Sequence, residues 1–199
     1  MLRNAGLTNM SSMHGGMRAW KGFVAGGPPE AGMAYFPSAS RPEELIALAW
    51  SLEEGSRRFY GALAGSLQDR ETMALYQGLA GAEAGHEATL LTLYQEVTGD
   101  RLAAKIPDTL FSGIVPGEVM EGGMRVQQAL EWTTGRSISD ILDLTMALES
   151  YSYDLYLKME RTLTDGNARR VFLVLAGEEA KHLESMAALI EKRRTPDAP

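Results

Sequence analysis

From Ser40 onward the chain is written in a helical period. In SRPEELIALAWSLEEGSRRFYGALAGSL, apolar residues recur at helical spacing through Ile46, Ala49, Tyr60, Leu63 and Leu67. The run opens on a Ser-x-x-Glu pair, Ser40 and Glu43, with a proline in its first turn, which predicts a capping box at Ser40. A second stripe runs Tyr76, Leu79, Glu83, His86, Leu90, Leu93 and Val97, with Asp69 placed to cap its start and Gly99 to close it. The break between the two stripes is only a few residues, so the two helices are expected to form an antiparallel hairpin. Residues 100–136 hold Pro107, Pro116 and several glycines around one short helical stretch, MRVQQALEWTTG. This connection is too long for a hairpin turn and predicts a crossover from one end of a bundle to the other. A third helix is expected from near Ser137, and a fourth after TDGN, running ARRVFLVLAGEEAKHLESMAALIEKR. The stretch before Ser40 is rich in Gly, Met, Pro and Ser and carries turn signals without helical periodicity. The expected architecture is all-α: an irregular N-terminal arm (1–39), a four-helix bundle with one long crossover (40–193) and a frayed tail (194–199).

The two helical halves repeat. LAGAEAGH, Leu79 to His86, and LAGEEAKH, Leu175 to His182, agree at Leu, Ala, Gly, Glu, Ala and His with an offset of 96 positions. The same offset carries Glu53 onto Glu149 and Tyr60 onto Tyr156. Within each half a lone Glu precedes the Glu of Glu-x-x-His by 30 residues. Residues three apart share one face of a helix, so Glu83 with His86 and Glu179 with His182 each offer an oxygen and a nitrogen to one point. Around a hairpin, the 30-residue step can bring Glu53 or Glu149 to the same level on the neighbouring helix. Two such halves facing each other would converge four carboxylates and two imidazoles at mid-bundle, the ligand set of a di-iron or di-manganese carboxylate site. Each candidate also lies on its helix's apolar stripe, where an unpaired ionised carboxylate costs several kcal/mol and bridging cations would offset that cost.

Composition narrows the chemistry further. The 199 residues include no cysteine, which removes disulfides, thiolate zinc sites, iron–sulfur clusters and a cysteine nucleophile, and only three histidines, His14, His86 and His182. With histidine this scarce, the matched placement of His86 and His182 is hard to attribute to chance. A formal net charge of −7 leaves no broad basic face for nucleic acid. No signal or transit peptide and no bilayer-length apolar run is present, so a cytoplasmic protein without membrane partners is expected. Tyr60 and Tyr156 lie two turns beyond Glu53 and Glu149, out of reach of their own helix's carboxylate. Each is expected either to hydrogen-bond a ligand on another helix or to pack as a core tyrosine. Glu54, Glu87 and Glu178 stand beside the candidates but off their line, and are expected in solvent or behind a ligand.

SLEEGSRRFY, LAGAEAGHEATLL, ALESYSYDLY and LAGEEAKHLESM together resemble the rubrerythrin branch of the ferritin-like superfamily, over about residues 40–193. The resemblance implies a ferritin-like four-helix bundle, often a homodimer, in which Glu53 and Glu149 are terminal carboxylates and Glu83 and Glu179 bridge. His86 and His182 would be the nitrogen ligands, one to each of two iron ions, with manganese or zinc also accommodated by such a set. It implies reduction of hydrogen peroxide or dioxygen with oxidation of ferrous iron. Two departures stand out: Ser152 occupies a position where peroxidase members commonly carry a further Glu, and the cysteine-bound iron through which they commonly receive electrons cannot be built. A separate electron donor is therefore expected.

The arm has a resemblance of its own. MSSMHGGMRAWKGFVAGGPP is similar to the end of a rhodanese domain, where a strand enters a Gly15-Gly16 turn and a helix carrying Ala19-Trp20. It covers residues 1 to about 30, without the persulfide-carrying cysteine loop. This resemblance implies either a longer product beginning upstream or a remnant kept as a packing or dimerisation arm, with His14 incidental. The competing function is accordingly a non-catalytic metal-binding and dimerisation module associated with a sulfurtransferase.

Overall fold

The computed structural model describes residues 41–111 and 115–194, so the arm, Ser40, His14 and the last five residues lie outside the described chain. Four long helices dominate: α1 (Pro42–Ser66), α2 (Arg70–Thr98), α4 (Ile138–Thr162) and α5 (Gly166–Arg194), with a short α3 (Val126–Thr133) in the crossover. Every boundary of α4 and α5 is displaced by 96 positions from that of α1 and α2, so the sequence repeat is a repeat of whole helical hairpins.

Local chemistry accounts for the starts and stops. The first residue before α1 is Arg41 rather than Ser40. Its backbone N–H donates to Glu44 (3.3 Å), and its guanidinium holds the same carboxylate (2.7 and 2.9 Å), so the reciprocal pair falls one residue later than the Ser40–Glu43 box expected. Asp69 caps α2 by accepting from the Thr72 N–H (2.9 Å), and Gly99 closes it in the left-handed conformation at φ +74°, a region that costs an L side chain. Ser137 and Asp140 form the capping box of α4. Asp165 accepts from the Ala168 N–H (2.8 Å) at the start of α5.

The core is divided into two apolar clusters with a polar layer between them. One gathers Leu45–Ala49 and Leu52 of α1 with Leu90 and Leu93 of α2, Leu155, Tyr156 and Met159 of α4 and Phe172, Leu175 and Ala176 of α5. The other gathers Phe59, Tyr60, Leu63 and Ala64 of α1, Tyr76 and Leu79 of α2, Ile141, Leu142, Leu144 and Leu148 of α4 and Met186 of α5. On all four helices the candidate Glu and His positions fall between these two sets. Burial of each large side chain contributes roughly 1.5–3 kcal/mol, and this apolar packing fixes the height at which the polar layer must sit. The clusters also give the direction of each helix: α1 and α5 run from the first to the second, α2 and α4 the other way. The crossover therefore has to travel the full length of the bundle, as its length predicted.

That crossover is more ordered than its glycines and prolines suggest. It carries a single turn of 3₁₀ helix at Asp108–Phe111 and a two-stranded antiparallel ribbon. The strands are β1 (Val119–Met120) and β2 (Met124–Arg125), joined by a tight turn at Glu121–Gly123, and α3 follows directly. Gly122 and Gly123 both have φ of +72°, as that turn requires. The ribbon lies directly on α1: a Cβ at Gly55 would stand 2.2 Å from the Val119 carbonyl oxygen, so only glycine admits the strand this close.

Candidate metal centre

The six residues singled out by the repeat meet in the layer between the apolar clusters, every one of them buried. His86 Nδ1 lies 3.2 Å from Glu53 Oε2, 2.9 Å from Glu83 Oε2 and 3.4 Å from Glu179 Oε1. In the other half His182 Nδ1 lies 3.0 Å from Glu149 Oε2, 3.1 Å from Glu179 Oε2 and 3.8 Å from Glu83 Oε1. The imidazole rings face each other with centroids 5.6 Å apart and planes 22° from parallel. Two groups with ligand atoms mutually within 4.8 Å result: Glu53, Glu83, His86 and Glu179, and then Glu83, Glu149, Glu179 and His182. Glu83 and Glu179 belong to both groups, whereas Glu53, His86, Glu149 and His182 each belong to one. This is the arrangement that two shared and two terminal carboxylates would need.

Both tyrosines act across the bundle. Tyr60 on α1 donates its hydroxyl to Glu149 Oε1 on α4, and Tyr156 on α4 donates to Glu53 Oε1 on α1. Of the two expectations, the bond to a carboxylate on another helix is the one realised, and it is reciprocal. Each lone Glu is thus held on one oxygen by a tyrosine and on the other by a histidine.

The protonation pattern repeats as well. Burial pushes Glu53 and Glu149 upward, but each ends below the ordinary carboxylate range. The neighbouring Glu83, together with His86 and Tyr156, favours ionised Glu53, and Glu179, together with His182 and Tyr60, favours ionised Glu149. Glu83 and Glu179 move far upward, first through burial and then through the charge of the neighbouring Glu53 and Glu149. Burial lowers His86, yet the Glu53 carboxylate outweighs it and the imidazole ends above its usual value. Both tyrosines are driven well above 10, first by burial and then by these carboxylates, so they act as donors.

Three oxygens in this layer are left over. Glu83 Oε1 and Oε2 and Glu179 Oε1 are buried without a hydrogen-bond partner, and the short Glu83–His86 approach does not have hydrogen-bond geometry. Orphaned buried carboxylate oxygens are costly, and here they belong to the two residues shared by both ligand groups. With two imidazoles and otherwise hard oxygen donors, the set suits a divalent first-row metal.

The flanking glutamates divide. Glu54 is buried beside the site, but Arg57 and Arg58 take up its charge and hold it below the ordinary range against the effect of burial. Glu87 pairs with Arg57 at 2.7 Å, yet burial pushes it up to about 7. Glu178 faces solvent with Lys181.

One carboxylate was not anticipated. Glu121, in the ribbon turn, is 1% exposed and lies against the same layer. Ser56 donates to its Oε2, Tyr156 approaches its Oε1 at 3.4 Å and Ser152 also hydrogen-bonds it. Burial, followed by Glu53 and Glu149, drives it well above the usual carboxylate range. It belongs to no repeat and no helical stripe. The sequence signal was indirect: Ser56 and Ser152 are repeat-equivalent hydroxyls on otherwise apolar faces, three residues after Glu53 and Glu149.

No curated protein matches the chain. Among solved structures it is similar to a hypothetical protein from Pyrococcus furiosus, at 25% sequence identity and a TM-score of 0.56, over 76% of this chain and 89% of that one. The family model described as Rubrerythrin matches residues 44–190, which takes in all four long helices and the whole polar layer. The chain belongs to the rubrerythrin family.

Proposed function

We propose that the protein is a di-iron carboxylate oxidoreductase of rubrerythrin type, which reduces hydrogen peroxide or dioxygen while ferrous iron is oxidised. The observation that carries this reading is the pair of overlapping Glu/His groups sharing Glu83 and Glu179, the two residues that between them carry three buried oxygens without a hydrogen-bond partner. Glu53 and His86 would hold one ion, Glu149 and His182 the other, and Glu83 and Glu179 would serve both. When bound, a ferrous pair supplies two electrons and open coordination positions for an oxidant. Manganese and zinc fit the same donors, so iron is the choice that goes with redox chemistry.

The chain's own residues set the conditions. Four ionised glutamates balance two divalent cations, which offsets the like-charge repulsion that, after burial, pushes Glu83 and Glu179 upward. Any proton held by these carboxylates must leave as ions enter. Tyr60 and Tyr156 fix one oxygen of Glu149 and Glu53, leaving the other directed at the site. The apolar clusters above and below exclude bulk water and strengthen every charge interaction in the layer. These residues offer no cysteine to hold an electron-transfer iron, and a separate electron donor is part of this proposal.

Anaerobic Fe(II) loading followed by peroxide, monitored by absorbance and Mössbauer spectroscopy, tests the proposal. About two irons per chain and repeated oxidation with a generic electron donor are expected. Failure to bind iron, or no oxidation, would sink the reading. A single stoichiometric oxidation without turnover would favour a metal-binding module instead.

A further inference from the structure

We propose that Glu121 is a seventh metal-binding residue, a fifth carboxylate delivered to the centre by the crossover rather than by the bundle helices. The inference rests on the metal-centre reading above and concerns a residue outside its repeat.

Three observations converge on it. The first is position: Tyr156 donates to Glu53 Oε1 and lies 3.4 Å from Glu121 Oε1, so Glu121 stands one hydroxyl away from a candidate terminal ligand. Its neighbours Ser56 and Ser152 come from the two repeat halves, so the single carboxylate sits between them. The second is charge. The groups that hydrogen-bond Glu121 are hydroxyls and its own backbone N–H, none of them a cation, and the charged side chains acting on it most strongly are Glu53 and Glu149, themselves anionic. A buried acid among acids is unfavourable until positive charge enters the same layer. Glu54 and Glu160 show the contrast, because each is buried against arginine: Arg57 and Arg58 for the first, Arg169 for the second.

The third is how the chain delivers the residue. Gly55, beside Ser56 and two residues from Glu53, is the contact point of the ribbon on α1, and a Cβ there would collide with the Val119 backbone. The left-handed glycines 122 and 123 then turn the chain back immediately after Glu121. A tight turn built against the ligand helices, with a buried carboxylate at its head, is a device for reaching the site from outside the bundle. The small side chains at 56 and 152 leave room for it.

The test uses the full chain with Mn(II) as the probe, read by anomalous scattering from crystals and by isothermal titration in solution. The expected result is two manganese peaks per chain in the native protein, one of them at bonding distance from a Glu121 oxygen. Glu121→Gln, which keeps hydrogen-bonding capacity and loses the charge, is expected to bind at least one ion ten-fold or more weakly with its helical content intact. Two peaks with Glu121 held only by its hydrogen-bond partners would overturn this inference and leave the six-residue centre standing. No manganese in the native protein would overturn both. The native map decides the question even if the variant fails to fold.

Discussion

Glu83 is where the residue-level argument is tightest, because both of its oxygens are buried without a hydrogen-bond partner and it belongs to both ligand groups. Glu83→Ala should therefore damage both positions, not one. The expected outcome is a fall from two bound ions to at most one, with an affinity loss of about 100-fold or more, measured by Mn(II) titration against a competing chelator. The tyrosines give a graded comparison. Tyr60→Phe and Tyr156→Phe each remove the hydroxyl that orients a lone Glu, and each is expected to weaken metal binding by roughly 10- to 100-fold. Tyr76 is the control: it stacks on Tyr60 at 5.8 Å, but its hydroxyl meets Thr145 at 3.2 Å and touches no candidate ligand. Tyr76→Phe should cost about 1 kcal/mol of stability and leave metal affinity unchanged. At this scale the six ligand candidates were legible because a duplicated Glu…Glu-x-x-His pattern constrains residue type and height together. Glu121 was not. A single acid in a Gly-rich turn has no period, and its meaning depends on the ribbon's docking, which no local pattern encodes.

Among the elements, the ribbon and the helix it rests on are the pair that sequence periodicity could not join. Two-residue strands carry no alternation to read, and the two glycines announce a turn without saying what it packs against. The long helices were legible because a stripe through 25 or 29 residues averages over local exceptions. Their ends were less so: Arg41 displaced Ser40 at α1 because Glu44 is within reach of both its backbone N–H and its guanidinium. The contact between Gly55 and Val119 lends itself to a paired test. Gly55→Ala forces backbone apart and is expected to destabilise by about 1–3 kcal/mol, a drop in Tm of roughly 2–12 °C for a chain of this size. Gly61, on the same helix, has nothing within 4 Å of where a Cβ would go. Gly61→Ala should instead raise stability by roughly 0.5–1 kcal/mol through helix propensity. Thermal unfolding of the two variants side by side separates a close-packing glycine from an incidental one; equal shifts would contradict the assignment.

On the scale of the whole molecule, the polar layer makes stability depend on pH and on metal in opposite ways. Glu83, Glu179 and Glu121 titrate higher in the folded chain than the ordinary value of 4.5, chiefly through burial. For a group raised on folding, the favourable contribution is complete below the unfolded value and is lost as pH rises through the folded one. His86, raised above 6.5 by Glu53 against the effect of burial, works in the same direction. Glu53 and Glu149 are lowered, so their contribution is present above 4.5 and is lost only as pH falls through their folded values. The metal-stripped protein should accordingly be most stable in mild acid and lose stability as pH rises above the ordinary carboxylate value of 4.5. Divalent ions require the deprotonated carboxylates and neutral imidazoles, so loading should become more favourable as pH rises and release protons as it proceeds. Calorimetric unfolding of stripped and Mn(II)-loaded protein at about pH 5.5, 6.5 and 8 is expected to show a Tm gap that widens with pH. A gap that stays constant, or a stripped protein whose Tm is flat across the range, would mean that the layer is not held together by shared protons in the absence of metal.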